Sequence, residues 1–359
     1  MNTEAAPAAV SPDNSSGRTR IAPIVALVLL SPLVGEVLSG ATRLSFLFAY
    51  LPEIMFWGCG TLLIREVVRR WGGNWTTMLP LGMALSVAEE FIVQQTSLAP
   101  MPWLGSTPMY GRVWGVNWIY FLFMLAFESV CITLVPVQIV ELIFPERRKE
   151  PWLRARGLVM ASGIFVVGAF LAWFLWVKIA RIQVFHFPDY KPPVVTVALG
   201  LLAIVVLALI SYAWRGTRDQ GRGPSGKVVS PWLVLPATLV MGFPWYILMV
   251  LIFAPRPQPP ALWIPVSATI AWAAMTVVLL RRWASASGWG EMQEWALSFG
   301  VLLVCMSAGF LGSSFWLKMD IIFKVVLNVI AVVGMVALAR RVRRRAKAEV
   351  GPVHLQGAD

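Results

Sequence analysis

WTTMLPLGMALSVAEEFIVQQTS, at residues 75–97, is apolar enough to cross a lipid bilayer, yet two adjacent acidic residues, Glu89 and Glu90, lie deep within it. A membrane-spanning helix needs about 20 mostly apolar residues. A charge near the bilayer centre costs at least about 2.5–3.5 kcal/mol on insertion scales, so acidic residues at that depth mark candidate functional sites. This stretch therefore predicts both a transmembrane fold and a candidate site.

The composition of the whole chain indicates the same fold class. Hydrophobic residues make up 58% of the 359 residues and charged residues 13%, against roughly 45–50% apolar and about 25% charged in soluble domains. The three cysteines, Cys59, Cys131 and Cys305, lie inside apolar runs, which excludes a disulfide framework or a CxxC metal site. We therefore predict an all-α, polytopic transmembrane helical bundle.

Apolar runs of membrane length divide the chain into about ten spans. They lie at residues 21–38, 46–64, 75–96, 117–143, 158–178, 194–214, 231–253, 261–280, 295–312 and 320–339. Most of the 30 Lys and Arg residues fall in loops on the side of the N-terminus, and these basic loops alternate with weakly charged ones. By the positive-inside rule, both termini are predicted to be cytoplasmic.

A single membrane domain is predicted between two tails. Residues 1–20 predict a disordered cytoplasmic tail, residues 21–339 a single transmembrane helical domain, and residues 340–359 a basic cytoplasmic tail. The sequence ARRVRRRAK at 339–347 predicts contact with anionic lipid of the bilayer, although a stop-transfer flank without lipid specificity explains it as well. The net charge of +12 does not predict nucleic-acid binding, because the basic residues lie in loops without a soluble aromatic surface.

Acidic residues of the first four spans are predicted to share one level in the outer half of the membrane, counting about 1.5 Å per residue. These residues are Glu36, Glu53, Glu89, Glu90 and Glu128. By contrast, Glu66 and Glu141 fall at the cytoplasmic ends of their spans, where loop arginines can pair with them. The shared level predicts a cluster of carboxyl groups inside the bundle.

Polar residues on the third span predict one polar helix face. Ser86, Glu90, Gln94 and Ser97 recur at helical spacing, with Glu89 beside them. Such a face is expected to line the bundle interior or a wet cavity, because lipid offers it no hydrogen-bond partner. Crowded acids in a low dielectric are expected to hold protons unless they bind a cation.

A purely structural role for these acids is the alternative. They would then be neutral contacts between helices, hydrogen-bonded to Ser86, Ser129, Asn117 or backbone carbonyls. Lys318, Asp320 and Lys324, near the start of the last span, can reach the acids as counter-charges or pair among themselves. Both interpretations stay open on the sequence alone.

Two outer connections are candidates to cover the site. Residues 97–116, which include Trp103, Tyr110 and Trp114, are typical of an interfacial or re-entrant cap. Residues 179–193 carry Arg181 and His186. Ordinary anchoring of aromatic side chains at the membrane interface explains both segments equally well.

Motifs along most of the chain resemble a group of uncharacterised bacterial multi-pass membrane proteins. The matching features are Ser31-Pro32 with Glu36 and Gly40, LLIREVVRR at 62–70 with Gly73 and Trp75, Glu89-Glu90, Asn117-Trp118, Ser129, Pro136, Glu141, Phe144-Pro145, Pro151-Trp152-Leu153 and Pro188-Asp189-Tyr190. The resemblance implies a multi-pass protein of the plasma membrane, the inner membrane of a bacterium.

More remotely, the Glu89-Glu90 pair in a membrane helix is similar to the EExxxR motif of the CAAX protease and bacteriocin-processing (CPBP) family of intramembrane proteases. In that family a carboxylate and a metal activate water for peptide hydrolysis, and FxxxH and a further histidine motif follow. Here Gln94 stands in place of the arginine, and Glu128 stands roughly where a histidine is expected. The two histidines, His186 and His354, lie in an outer loop and in the tail.

Three functions follow from these observations. The first is a degenerate CPBP-type scaffold that binds a membrane substrate. The second is a cation- or proton-coupled transporter or channel, and the third is an active intramembrane metalloprotease. Glu89 and Glu90 are the candidate catalytic residues, while Glu36, Glu53, Glu128 and Gln94 are candidates for binding a proton or a cation. An all-oxygen ligand set suits a hard divalent cation better than zinc.

Overall fold

The structure is a computed structural model that describes residues 15–100, 110–216, 228–253, 259–311, 313 and 316–350. Within these residues, long helices follow one another in chain order. They are α1 (Ser15–Pro32 and Leu33–Leu38), α2 (Leu44–Ala49, Tyr50–Glu53, Ile54–Gly58 and Cys59–Arg70), α3 (Trp75–Ala88 and Glu89–Val93), α4 (Trp118–Phe127, Glu128–Leu134 and Val135–Ile143), α5 (Ala155–Trp173 and Phe174–Val184), α6 (Val194–Ala213), α7 (Pro231–Phe253), α8 (Trp263–Ala284), α9 (Glu291–Ala308) and α10 (Lys318–Val350). The prediction of an all-α helical bundle is confirmed.

In the described part of the chain, nine helices are long and apolar enough to cross a membrane, namely α1 to α8 and α10. The predicted span 295–312 corresponds to α9, which begins with a polar turn at Glu291, Gln293 and Glu294. The rest of α9 is packed in the interior of the bundle, where Ala296 and Leu302 are buried. Because of its polar first turn, α9 is less apolar than the other nine helices.

The tails differ from the predicted boundaries. Helix α1 begins at Ser15, within the tail predicted at 1–20, and residues 1–14 lie outside the described ranges. Helix α10 continues to Val350, beyond the predicted end of the membrane domain at residue 339. An apolar pattern does not locate a helix end when the helix runs on into basic sequence.

Close helix contacts set the positions of α1, α3 and α4. A Cβ atom added at Gly35 of α1 would lie 2.1 Å from Ile132 Cγ1 of α4. At Gly82 of α3, an added Cβ would lie 3.3 Å from the backbone of Ser129 on α4. Small residues allow membrane helices to approach in this way. As a result, the acidic segments of α3 and α4 lie side by side.

A buried polar junction joins α1, α2 and α4. The Ser31 hydroxyl donates to the carbonyl oxygens of Trp57 (3.2 Å) and Ile132 (2.8 Å) and lies 2.9 Å from Thr61 Oγ1. The Ile132 carbonyl lies in the π-helical part of α4, where the normal helix hydrogen-bond pattern is interrupted. The hydroxyl groups of α1 and α2 therefore satisfy a carbonyl that this irregular turn exposes.

Near the C-terminal end of α2, a buried network of ion pairs connects α2 and α4 to the loop at residues 144–153. Glu141 accepts from Arg65 Nε at 3.0 Å and from Arg69 Nη2 at 2.6 Å. Glu66 accepts from the backbone N–H groups of Trp152 (2.7 Å) and Leu153 (3.0 Å). The expected pairing of Glu66 and Glu141 with arginine is confirmed, because Arg65 Nη1 also lies 3.4 Å from Glu66.

Part of the predicted outer cap at 97–116 is described. A two-stranded hairpin pairs Arg112–Val113 (β1) with Val116–Asn117 (β2). Trp114 at its turn is 87% exposed, as expected for an interfacial anchor. Arg181, predicted in the second outer connection, belongs instead to α5, and its guanidinium donates to the Pro100 carbonyl at 2.8 Å. Residues 101–109, including Trp103, lie outside the described ranges.

Candidate functional site

Irregular π-helical turns occur beside each of the predicted acidic residues. Glu36 lies in Leu33–Leu38, Glu53 immediately precedes Ile54–Gly58, Glu89 and Glu90 open Glu89–Val93, and Glu128 opens Glu128–Leu134. Short π-helical segments are rare, are frequent at functional sites, and shift the side chains that follow them relative to a regular helix. Sequence periodicity assumes regular helices, so it did not reveal these turns.

The carboxyl groups of Glu89, Glu90 and Glu128, here called the triacid site, converge. One oxygen from each residue lies within 4.8 Å of the others. Glu89, Glu90 and Glu128 are 3%, 0% and 1% exposed, respectively. Two come from the last turn of α3 and one from the middle of α4, and the close approach at Gly82 brings these segments together.

A turn after α3 holds Glu90 in place. The helix ends at Val93, and Gln95 has a left-handed backbone with φ of 61°. The chain then folds back, so that Thr96 and Ser97 donate their hydroxyl protons to Glu90 Oε2 at 2.7 and 2.6 Å. The predicted helix face through Gln94 and Ser97 is therefore wrong, because Ser97 reaches Glu90 through a turn rather than by helical spacing.

Several buried oxygen atoms at the triacid site have no partner outside it. They are both carboxyl oxygens of Glu128, Oε2 of Glu89, Oε1 of Glu90 and Oγ of Ser86. Within the site, Glu128 lies beside Ser86 and Glu89, and Glu89 lies beside Glu90. Two of the suggested neutral partners make other contacts, since Ser129 donates to the Leu125 carbonyl at 2.6 Å and Asn117 accepts from the Tyr120 N–H at 3.1 Å. The third, Ser86, lies within hydrogen-bond range of Glu128. Buried polar atoms without partners cost about 1–3 kcal/mol each, so their concentration here indicates a missing ligand or proton.

Glu36 and Glu53 lie near the triacid site rather than in it. Glu53 accepts a short hydrogen bond from Thr42 Oγ1, and its Oε2 is buried without a partner. Glu36 is half-buried and lies within electrostatic range of both Glu53 and Glu90. Of the five carboxyl groups predicted to share one level, three converge closely and two, those of Glu36 and Glu53, form a second group nearby.

The predicted counter-charges do not reach the acids. Lys324 Nζ donates to the Leu38 carbonyl at 2.5 Å and lies 4.7 Å from the centre of the Phe310 ring. Asp320 accepts from the backbone N–H of Ser45 at 2.9 Å and from its hydroxyl at 3.0 Å. Among the described residues, no Lys or Arg forms a salt bridge with any of the five membrane carboxyl groups.

A large cavity of about 2210 Å³ reaches the site. Its lining includes the acidic and amide side chains of Glu36, Glu53, Glu89, Gln94 and Glu128. Most of the remaining lining residues are apolar. The lining extends from Arg43, just before α2, to Gly72, just after it, so the cavity reaches both ends of that membrane-length helix.

Among the described residues, neither His nor Cys joins the three carboxyl groups of the triacid site. His186 is exposed after the end of α5, and His354 lies outside the described residues. Carboxylate-only sites suit protons or hard cations such as Mg²⁺, Ca²⁺ and Mn²⁺, whereas catalytic zinc sites commonly use histidine. Three carboxylates provide fewer ligands than these cations require, so water or a substrate would complete the coordination.

Comparison with known proteins gives no assignment for this chain. No protein-family model, no curated protein and no solved structure matches it.

Proposed function

We propose that this protein is a cation- or proton-coupled membrane carrier, with Glu89, Glu90 and Glu128 as its coupling site. The observation that carries the proposal is the convergence of three buried carboxyl groups, two of which, those of Glu89 and Glu128, line a cavity that reaches both ends of α2. Ionisable residues within a bundle mark ion pathways and proton relays in membrane proteins.

The coupling follows from electrostatics. Three carboxylates this close cannot all remain charged in a low dielectric without a positive partner. Because no described Lys or Arg neutralises them, protons or a cation must do so. Binding of one cation then releases protons, which is the exchange that a coupled carrier requires.

The proposed topology has ten spans, with both termini in the cytoplasm of a bacterium and the bundle in its inner membrane. Helix α9 counts as the tenth span because its buried apolar surface lies within the bundle. The basic end of α10 is proposed to contact anionic lipid. Arg340, Arg341 and Arg344 are exposed and available for this contact, whereas Arg345 donates to Glu291 at 2.9 Å.

A degenerate CPBP-type scaffold is the proposed origin of the site. Glu128 occupies the position where the resemblance implies a ligating histidine, and it lies next to the Glu89-Glu90 pair. The second candidate function, intramembrane hydrolysis, is favoured by the same ligand-like spacing beside a cavity large enough for an apolar substrate. Intramembrane hydrolysis requires that the purified protein contain a divalent metal in stoichiometric amount. The Glu90→Ala variant would then lose this metal.

Flux through the purified protein tests the proposed function. In proteoliposomes containing a pH-sensitive dye, a gradient of Mg²⁺, Ca²⁺ or Mn²⁺ is expected to drive a proton flux. Glu89→Gln is expected to abolish that flux, because it removes one charge from the triacid site. The matched control is Glu150→Gln, since the side chain of Glu150 is 54% exposed and, in the described part of the chain, forms its ion pair with the loop residue Arg147. Wild-type protein that moves neither protons nor these cations would refute a coupled carrier.

A further inference from the structure

We propose that the cavity binds a lipophilic organic cation, with its positively charged head at Glu89 and Glu128 and its apolar body along the cavity walls. This inference rests on the proposed function and names the substrate class of the same site. The cavity volume of about 2210 Å³ exceeds the roughly 300–1,000 Å³ of common small-molecule pockets. A bare metal ion needs only a small part of such a space.

The walls of the cavity suit an apolar body. Aromatic and methionine side chains line it, among them Phe123, Phe127, Met241, Trp245 and Met249. Methionine adapts its shape to irregular apolar ligands, and aromatic rings attract organic cations through their faces. The rings of Phe123 and Phe127 stack with their centres 5.8 Å apart, and Phe127 immediately precedes Glu128.

The charge distribution selects a positive head group. Arg69 and Arg148, which also line the cavity, are neutralised by Glu141 and Glu294. Arg43 lies over the Trp316 ring at 5.4 Å. Arg43 and Lys149 line the cavity near the two ends of α2, whereas Glu89 and Glu128 line it in the middle. Once ionised, these two acids repel an anionic ligand and attract a cationic one.

The cavity is open towards the lipid beside α8. Ile270 and Val278 of this helix line the cavity and are nevertheless 56% and 66% exposed. A lipophilic solute can enter from the membrane at such an opening, whereas a hydrated ion cannot. The opening therefore favours a ligand that partitions into the bilayer.

Tetraphenylphosphonium and tetraphenylborate provide a direct test, because they share shape and size but carry opposite charges. Binding of each radiolabelled ion to the protein in lipid nanodiscs is measured against empty nanodiscs. We expect the phosphonium to bind saturably, to be displaced by Mn²⁺, and to bind at least about tenfold more weakly to Glu128→Gln, as expected for a lost interaction of about 1.4 kcal/mol. Glu89→Gln provides a second variant, and Glu150→Gln is the control.

The outcomes separate this inference from the proposed function. Equal binding of both ions, or phosphonium binding unchanged in both site variants, would overturn the organic-cation inference. No phosphonium binding, together with intact Mn²⁺-driven proton flux, would overturn it as well but leave the carrier proposal standing. If the wild-type protein shows neither phosphonium binding nor cation-driven proton flux, both the organic-cation inference and the carrier proposal are refuted.

Discussion

Glu128→Gln is expected to weaken divalent-cation binding by at least about 100-fold without destabilising the fold. Removing a group that merely orients a metal ligand already costs about 10–100-fold, and Glu128 is proposed to be a ligand itself. Its neighbours Ser86 and Glu89 can also hydrogen-bond to the amide that replaces the carboxyl group. Replacing a buried acid by its neutral isostere also removes the cost of burying a charge. Stability should therefore be unchanged or higher.

Isothermal titration with Mn²⁺, alongside thermal unfolding of the same samples, checks both parts of this prediction. Glu53→Gln is the control for nonspecific effects of removing a membrane charge, because Glu53 lies outside the triacid site and accepts from Thr42. If Glu128→Gln unfolds readily while wild-type protein binds no Mn²⁺, the acids are structural contacts between helices and the site has been misinterpreted.

Glu141→Gln is expected to cause the largest loss of stability. Glu141 accepts hydrogen bonds from both Arg65 and Arg69, and the side chain of Arg65 is 0% exposed. Removing one partner of a buried ion pair leaves a charge without compensation and costs about 3–5 kcal/mol. We therefore expect the unfolding temperature to fall strongly, whereas Mn²⁺ affinity measured below that temperature should stay the same.

A thiol-reactive dye can follow this unfolding at Cys59, which is buried and lies outside the cavity lining, so that it becomes reactive only when the bundle opens. Cys131 and Cys305 line the cavity and are replaced by Ala in both samples. The control is Glu150→Gln, which removes an exposed pair with Arg147 and should cost no more than about 1 kcal/mol. Equal unfolding temperatures for the two variants would show that the buried network contributes little to stability.

The sequence predicts the class of fold and the grouping of three acids well, because both depend on composition and on distance along a helix. Glu89, Glu90 and Glu128 are found together as their depth predicts. The partners of these acids were not predictable. Gln95 adopts a left-handed conformation that folds Thr96 back to Glu90, and no periodic pattern signals such a turn.

The π-helical turns are the second feature that the sequence did not reveal. Each depends on contacts made by other helices, as at Ile132, whose carbonyl accepts from Ser31 of α1 and Thr61 of α2. A helical sequence does not specify where one extra residue is accommodated, because tertiary contacts decide it. Lys324 illustrates the same limit, since its depth allows a pairing with acids but its amino group binds the Leu38 carbonyl.

Carbodiimide labelling tests the central claim most directly, because an apolar carbodiimide reacts with protonated carboxyl groups in apolar surroundings. Labelled sites are located by peptide mass spectrometry on protein in nanodiscs, with and without saturating Mn²⁺. If the triacid site holds either protons or a cation, label should concentrate on Glu89, Glu90 and Glu128 and fall sharply when Mn²⁺ is added. Absence of label from all three, or labelling that saturating Mn²⁺ leaves unchanged, would contradict a shared coupling site.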